Sequence, residues 1–270
     1  MSFTYAGKTI TTVVSDLDGT IFYPRGMQSL PERSREVIWR LIDGGIRFIV
    51  ASGRQYPNLR DIFAGVESRI GYIGENGCVG VWQDRVICER SLDLSLAMEM
   101  VSDLQKYEGI EILLCKKEES CLVPKDPRFL YHLTDEVGLR TKLLSSYEEF
   151  TGSLLKISAH FPGTVPAEAS AYLHEKYAGR MNVTDSGSGW FDCMPPGVGK
   201  GETLLEMARD LGISPKEIMA FGDGENDISL LQAAGLAVCM ETGNEILKPH
   251  ADLFCTDVCS VLEECTRQLS

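Results

Sequence analysis

Strand-length apolar runs alternate with helix-period segments near both ends of this chain, and that alternation restricts it to a small set of architectures. Residues 10–15 read as a strand, and residues 29–43 as a helix with Pro31 near its start, Val37, Ile38, Leu41 and Ile42 on one face and Gly44-Gly45 closing it. A strand at 46–51, a helix around 58–65 and a strand at 70–73 follow. The pattern predicts a βαβαβ unit and hence a parallel sheet. It resumes with a helix over 200–211, the strand IMAFGD, a helix over 227–234 and the strand LAVCM. Between Gly77 and about Gly187 the texture differs. Short alternating segments (VGVWQDRVI, EILLCK, LLKISAHF) are interleaved with helical stretches at 94–106 and 167–177, as in an α+β unit on a largely antiparallel sheet. The expected fold class is therefore α/β: a doubly wound parallel-sheet core, residues 1–81 and 188–270, with an α+β insertion over 82–187.

The chain of 270 residues carries 39 acidic and 26 basic side chains, a net charge of -13. Such a field repels polyanions, so nucleic acid and anionic membrane are not expected partners. No run approaches the length of a membrane span, and the first ten residues lack the basic start and apolar stretch of a signal peptide; the expectation is a cytoplasmic protein. The nine cysteines are scattered without a CxxC, which suggests neither a zinc site nor a redox pair but reduced, packed side chains.

In an open parallel sheet, ligands bind beyond the carboxyl ends of the strands. Asp16, Asp18, Ser52 and Asp223 all stand at such ends. Gly19 lets the chain turn so that backbone N–H groups can face an anion. Ser52 and Gly53 offer a hydroxyl and an N–H ahead of a helix. Lys200 opens a helix, where a cation opposes the dipole unless it points at something negative, and Asp16 is the obvious target. Asp223, Asn226 and Asp227 add an acidic cluster that, with Asp16, suits a hard divalent cation. The four histidines, His132, His160, His174 and His250, show no ligand spacing.

In DLDGT (16–20), ASGR (51–54), Lys200 of GVGKGETL and GDGENDISLL (222–231), in this order, the chain resembles the haloacid dehalogenase superfamily of phosphatases. GENG (74–77) and the long insertion before Lys200 resemble its Cof-type (subfamily IIB) members. The resemblance implies a Rossmann-like core with a C2B-type cap, and a phosphomonoesterase acting on small phosphorylated metabolites, sugar phosphates foremost, as a monomer or weak homodimer. It implies Asp16 as nucleophile forming an aspartyl-phosphate, Asp18 as acid and base, and Mg2+ held by Asp16, the Asp18 carbonyl and Asp223, with Asp227 supporting. Leu17, Ser52, Gly53, Lys200 and Asn226 would hold the phosphoryl group and substrate. Where Cof-type chains commonly read MGNA, this one reads METGNE (240–245), with Asn244 at the comparable position. Alternatives are a phosphotransferase of the same superfamily, such as a phosphohexose mutase, or a receiver-like phospho-Asp signalling module; an acid/base at Asp18 and the cap favour the enzyme. Arg54 has two readings, a reach toward substrate or a pair with a nearby carboxylate. Trp190 and Phe191 are expected to pack core against cap.

Overall fold

The computed structural model describes residues 1–23 and 29–269. Residues 24–28 and Ser270, both within the expected core, lie outside the described residues. The chain opens with a hairpin, β1 (Phe3–Tyr5) and β2 (Lys8–Ile10), so the apolar run from Ile10 is split, and the first core strand is β3 (Thr12–Asp16). Helix α1 (Glu32–Asp43), β4 (Arg47–Ala51), α2 (Tyr56–Ile62) and β5 (Gly71–Gly74) follow, within a few residues of the expected bounds. β6 (Val79–Trp82) and β7 (Arg85–Glu89) then extend the same sheet antiparallel.

The polypeptide next builds a second sheet with α3 (Leu94–Leu104), β8 (Glu111–Cys115), β9 (Ser120–Leu122), α4 (Pro127–Tyr131), β10 (Thr141–Leu143), β11 (Lys156–His160), α5 (Ala167–Tyr177), β12 (Asn182–Gly187) and β13 (Trp190–Met194). It returns through α6 (Lys200–Asp210), β14 (Ile218–Gly222), α7 (Ile228–Ala233), β15 (Leu236–Met240), β16 (Leu253–Cys255) and α8 (Val258–Thr266). Among the described residues the core sheet has strand order 16-15-14-3-4-5-6-7, and the second sheet 10-9-8-11-13-12, antiparallel apart from the β9–β10 pair.

The central core strands β3, β5, β14 and β15 are buried along their length, and β4 but for its first residue, because both faces are covered; the edge strands β7 and β16 are not. Val13, Phe48, Val50 and Tyr72 pack with α1, α2 and α8 on one face; Val14, Ile49, Ala220 and Ala237 pack with α6 and α7 on the other. Since β3 lies between β4 and β14, the direction of winding reverses there, and the three carboxyl ends meet at one crevice.

The second sheet has two unlike faces. Ile112, Leu114, Ile157, Ala159, Phe191 and Cys193 point to α3 and α5 and form an apolar core with them. The opposite parity places Lys156, Ser158, His160, Trp190 and Asp192 toward the crevice of the core sheet. Sheet membership shifts the expected boundaries: β7 belongs to the core sheet and β13 to the inserted one, so the change-overs fall between Glu89 and Leu94 and between Met194 and Lys200. Phe191 accordingly packs inside the inserted unit, and Trp190 faces the crevice. Among the described residues all nine cysteines are buried and unpaired, and no helix is long and apolar enough to cross a membrane.

Candidate active site

β3 delivers Asp16 to the crevice with its side chain almost entirely buried. Lys200, the first residue of α6 and fully buried, donates to Oδ1 of Asp16 at 2.6 Å and to Oδ1 of Asp227 at 2.6 Å. The other oxygen of Asp227 accepts the backbone N–H groups of Asp223 and Gly224, each at 3.0 Å, so Asp227 anchors the loop after β14. Thr20 donates to Oδ1 of Asp223 at 3.1 Å. Burial pushes the Asp16 carboxyl well above the usual carboxylate range, the charge of Asp227 adds to this, and Lys200 opposes it. For Lys200, burial alone would favour the neutral amine, but Asp16 and Asp227 overcome it and hold the ammonium more firmly than usual.

Oxygens of Asp16, Asp223 and Asp227 lie within 4.8 Å of one another. Three carboxylates facing one ammonium leave a local charge of about −2, and an all-oxygen donor set of that charge fits a hard divalent cation. Asp227 spends both oxygens on Lys200 and the loop, consistent with a supporting place rather than direct ligation.

Asp18 stands apart from that cluster. Arg54 grips its carboxylate with two hydrogen bonds of 2.7 Å, from Nε and from Nη2, while the guanidinium lies 5.5 Å from the Phe22 ring centre. Of the two readings of Arg54, the carboxylate pair is the one observed. The Leu17 carbonyl accepts the Phe22 N–H at 2.7 Å, which tightens the turn through Gly19 at φ 102°. Ser52 is buried after β4, its hydroxyl accepting the Arg54 N–H at 3.1 Å.

A buried polar chain ties the crevice to the inserted sheet. Asn226 donates to Asn76 at 2.9 Å, and Asn76 donates to Asp192 of β13 at 2.6 Å. Lys156 of β11 donates to the Gly53 carbonyl at 2.8 Å and pairs with Glu75 at 3.0 Å and Asp192 at 3.4 Å. Glu75 and Asn76 hold φ of 49° and 54°, a left-handed conformation costly for side chains other than Gly. Burial raises the Glu75 carboxyl, with Lys156 opposing. The Gly53 Cα faces Asn76 so closely that a Cβ there would meet its Oδ1 at 3.0 Å.

The crevice and the inserted sheet enclose a cavity of about 630 Å³ lined by Asp16, Asp18, Ser52, Gly53, Asp223 and Asn226, along with cap residues. Lys200 sits behind Asp16, and Leu17 is buried beside it. Asn244 also lines the cavity, and its N–H donates to the Asp223 carbonyl at 2.8 Å. Sequence reasoning singled out GENG without giving Asn76 or Glu75 a part, and passed over Lys156 and Asp192. The signal was present in KISAH: Lys156, Ser158 and His160 alternate with Ile157 and Ala159, placing a lysine on the polar face of a strand whose other face is apolar.

The family model for haloacid dehalogenase-like hydrolases matches residues 13–260. The 5-amino-6-(5-phospho-D-ribitylamino)uracil phosphatase of Escherichia coli (strain K12) is 26% identical over 232 residues, 86% of this chain and 85% of that protein. A phosphoglycolate phosphatase of Methanopyrus kandleri is 42% identical over 246 residues, 89% of this chain and 88% of that one. Among solved structures, a subclass IIB sugar phosphatase of the superfamily superposes with a TM-score of 0.79 at 19% identity, covering 96% of this chain and 100% of that chain, a likeness of fold. A match running from the strand that carries Asp16 to the last helix, over a core and cap of this form, makes the chain a haloacid dehalogenase-like hydrolase of the Cof type, an enzyme that hydrolyses phosphoric monoesters.

Proposed function

We propose that the protein is a Mg2+-dependent phosphatase of small phosphorylated metabolites that works through an aspartyl-phosphate on Asp16. The observation that carries this reading is Asp16 itself: a buried carboxylate at a strand end, fixed through one oxygen by Lys200 and opening on a cavity. Asp16 attacks phosphorus as the bond to the leaving oxygen breaks, and Asp18 gives that oxygen a proton. Asp18 then takes a proton from the water that attacks the phosphoryl group, releasing phosphate and restoring the Asp16 carboxylate. In the described state Asp18 is held by Arg54, so reaching the leaving oxygen requires one of those two bonds to open. Mg2+, held by Asp16, Asp223 and the Asp18 carbonyl, would screen the charge of nucleophile and phosphate. The N–H groups of Leu17 and Gly53, the Ser52 hydroxyl and the Lys200 ammonium are the donors for phosphoryl oxygens. Asn226, braced by Asn76, steadies the substrate side of the same loop.

The core under this reading comprises residues 1–89 and 195–270, and the cap residues 90–194, following the sheets. The names of the relatives, one a ribitylaminouracil phosphatase and the other a phosphoglycolate phosphatase, agree on a phosphoryl group and differ in everything attached to it. Phosphate release from a panel of phosphorylated metabolites with Mg2+, compared with excess chelator, tests the proposal. Release that needs Mg2+ and disappears in Asp16→Ala is expected. Undiminished release in chelator contradicts the metal's part, and transfer of the phosphoryl group to a sugar in preference to water would favour the mutase.

A further inference from the structure

We infer that the leaving group of the preferred substrate carries no anionic group of its own and ends in a planar ring seated on Trp190; this rests on the phosphatase reading above. The wall opposite the crevice is one face of the cap sheet, and strand pairing arranges it in rows. Lys156 lies level with Cys115, Ser158 with Leu113 and Asp192, and His160 with Trp190. The Lys156 row sits against the phosphate loop, because its ammonium reaches the Gly53 carbonyl at 2.8 Å. Four residues along the strand, about 13 Å away at ~3.3 Å per residue, is the row of His160 and Trp190.

Polarity changes along these rows. The middle one is hydroxyl-rich and acidic: Ser158 and Ser186 both donate to Asp192, and Asp185, level with Phe191, lines the cavity next to it. The far one carries Trp190 and His160, with Glu111 level with His160 and the Gly187–Ser188 turn beside Trp190, and the side chains around Trp190 on the cavity side are largely apolar. Trp190, partly exposed, packs with Leu113, Leu133 and Leu139, and all four line the cavity. His160 and Phe129 brace the indole, with ring centres 4.9 and 5.8 Å away. Burial pushes the His160 imidazole below its usual range, which leaves that brace uncharged at neutral pH. A ring braced on two sides is ready to stack without further ordering.

Charge decides what else the cavity accepts. Seven carboxylate side chains line it, while the lysine and arginine side chains among the described lining residues are Arg54 and Lys156, each already engaged by carboxylates. A phosphoryl group has the donors at Asp16 and the metal site, but a second anion farther out would meet acidic groups. A volume of about 630 Å³ also falls in the roughly 300–1,000 Å³ range of sites for drug-sized ligands, more than a phosphoryl group with two carbons needs. A phosphate at the crevice, a hydroxyl-bearing linker over the middle row and a ring on Trp190 match the wall in order.

A matched pair of esters tests this: riboflavin 5′-phosphate and ribitol 5-phosphate, which share the polyol phosphate and differ by the ring, with 2-phosphoglycolate as the short acidic comparison and p-nitrophenyl phosphate as a general check. With Mg2+ the native enzyme should show kcat/KM about tenfold higher for the ring-bearing ester than for ribitol 5-phosphate, the scale of one aromatic stacking contact. Trp190→Ala should remove that advantage, mainly through KM, leave ribitol 5-phosphate within about twofold, and be largely rescued by Trp190→Phe. Should Trp190→Ala fail to fold, Leu139→Ser is expected to lower the ring-bearing ester selectively. Equal kcat/KM for the matched pair, equal losses in the variants, or 2-phosphoglycolate as the best substrate overturns the inference while leaving the phosphatase reading intact. No hydrolysis of any of the four esters removes that reading, and the inference with it.

Discussion

Asp16 is placed where a carboxylate is least comfortable: buried, beside Asp223 and Asp227, with Lys200 shared between two of the three. Its carboxyl is raised, so the folded protein binds that proton more tightly than the unfolded chain does. A raised acid favours the fold below its unfolded value and loses that advantage as pH climbs toward the folded value. Asp16→Asn, which carries no charge, should therefore match the native protein in acid and become the more stable of the two toward neutral pH. A gain of about 1–2 kcal/mol without metal is expected, or roughly 2–8 °C in Tm, shrinking when Mg2+ is added. Thermal melts at pH 5 and 8 check this, and an Asn variant less stable than native at pH 8 would contradict the crowding argument. The meeting of Asp16, Lys200 and Asp223 was legible because strand ends and a helix start announce themselves in sequence. The Arg54 grip on Asp18 was not, since a guanidinium near several carboxylates has more than one partner open to it and only the fold selects among them.

At the scale of elements, α6 is what carries Lys200 to Asp16, and its position depends on close contact with α7. A Cβ on Gly201 would collide with the backbone carbonyl of Ser229, and backbone on a packed helix cannot yield as a flexible side chain can. Gly201→Ala should cost about 2–4 kcal/mol by overpacking and lower kcat in the fraction that folds, because Lys200 is the adjoining residue; urea denaturation together with kcat measures both. Stability within 0.5 kcal/mol of native would show that α6 is free to shift. Helices and parallel strands were legible to within a few residues from their periods and caps. β7 was read as extended but placed in the inserted unit, because period-two alternation marks an extended segment and nothing in it names the partner; β13 was not read as a strand at all. Pairing is settled by contacts distant in sequence, such as Ser158 with Asp192.

For the molecule as a whole, the account requires a cap stable in its own right and docked on the core. Its helices are stapled by Asp103, a buried carboxylate of α3 that accepts from Lys106 at 2.6 Å, from Tyr177 of α5 at 2.7 Å and from Lys176. Burial works against its charge, but these donors outweigh burial and lower the carboxyl to about 2. A depressed acid stabilises the fold above its unfolded value, and that contribution disappears as pH falls toward the folded one. Asp103→Asn should accordingly cost about 1 kcal/mol at pH 7, discounted for the exposed lysine partner, and the difference should shrink as pH drops from 4 toward 2; a difference that persists in acid would contradict it. Docking runs through Lys156 to Gly53 and through Asn226, Asn76 and Asp192, so the same polar chain that braces the phosphate loop also holds the cap over it. That chain was the least legible part of the molecule, because its members come from five distant segments and each looks ordinary alone. The central claim, that Asp16 takes the phosphoryl group, is tested most directly by rapid acid quench of a single turnover in the presence of Mg2+, followed by peptide mass mapping. The account predicts one phosphoryl group on the Asp16 carboxylate, formed and lost at rates consistent with kcat and absent in Asp16→Ala, which turns over no substrate. Sustained hydrolysis by Asp16→Ala, or a phosphoryl group found on another residue, would contradict it.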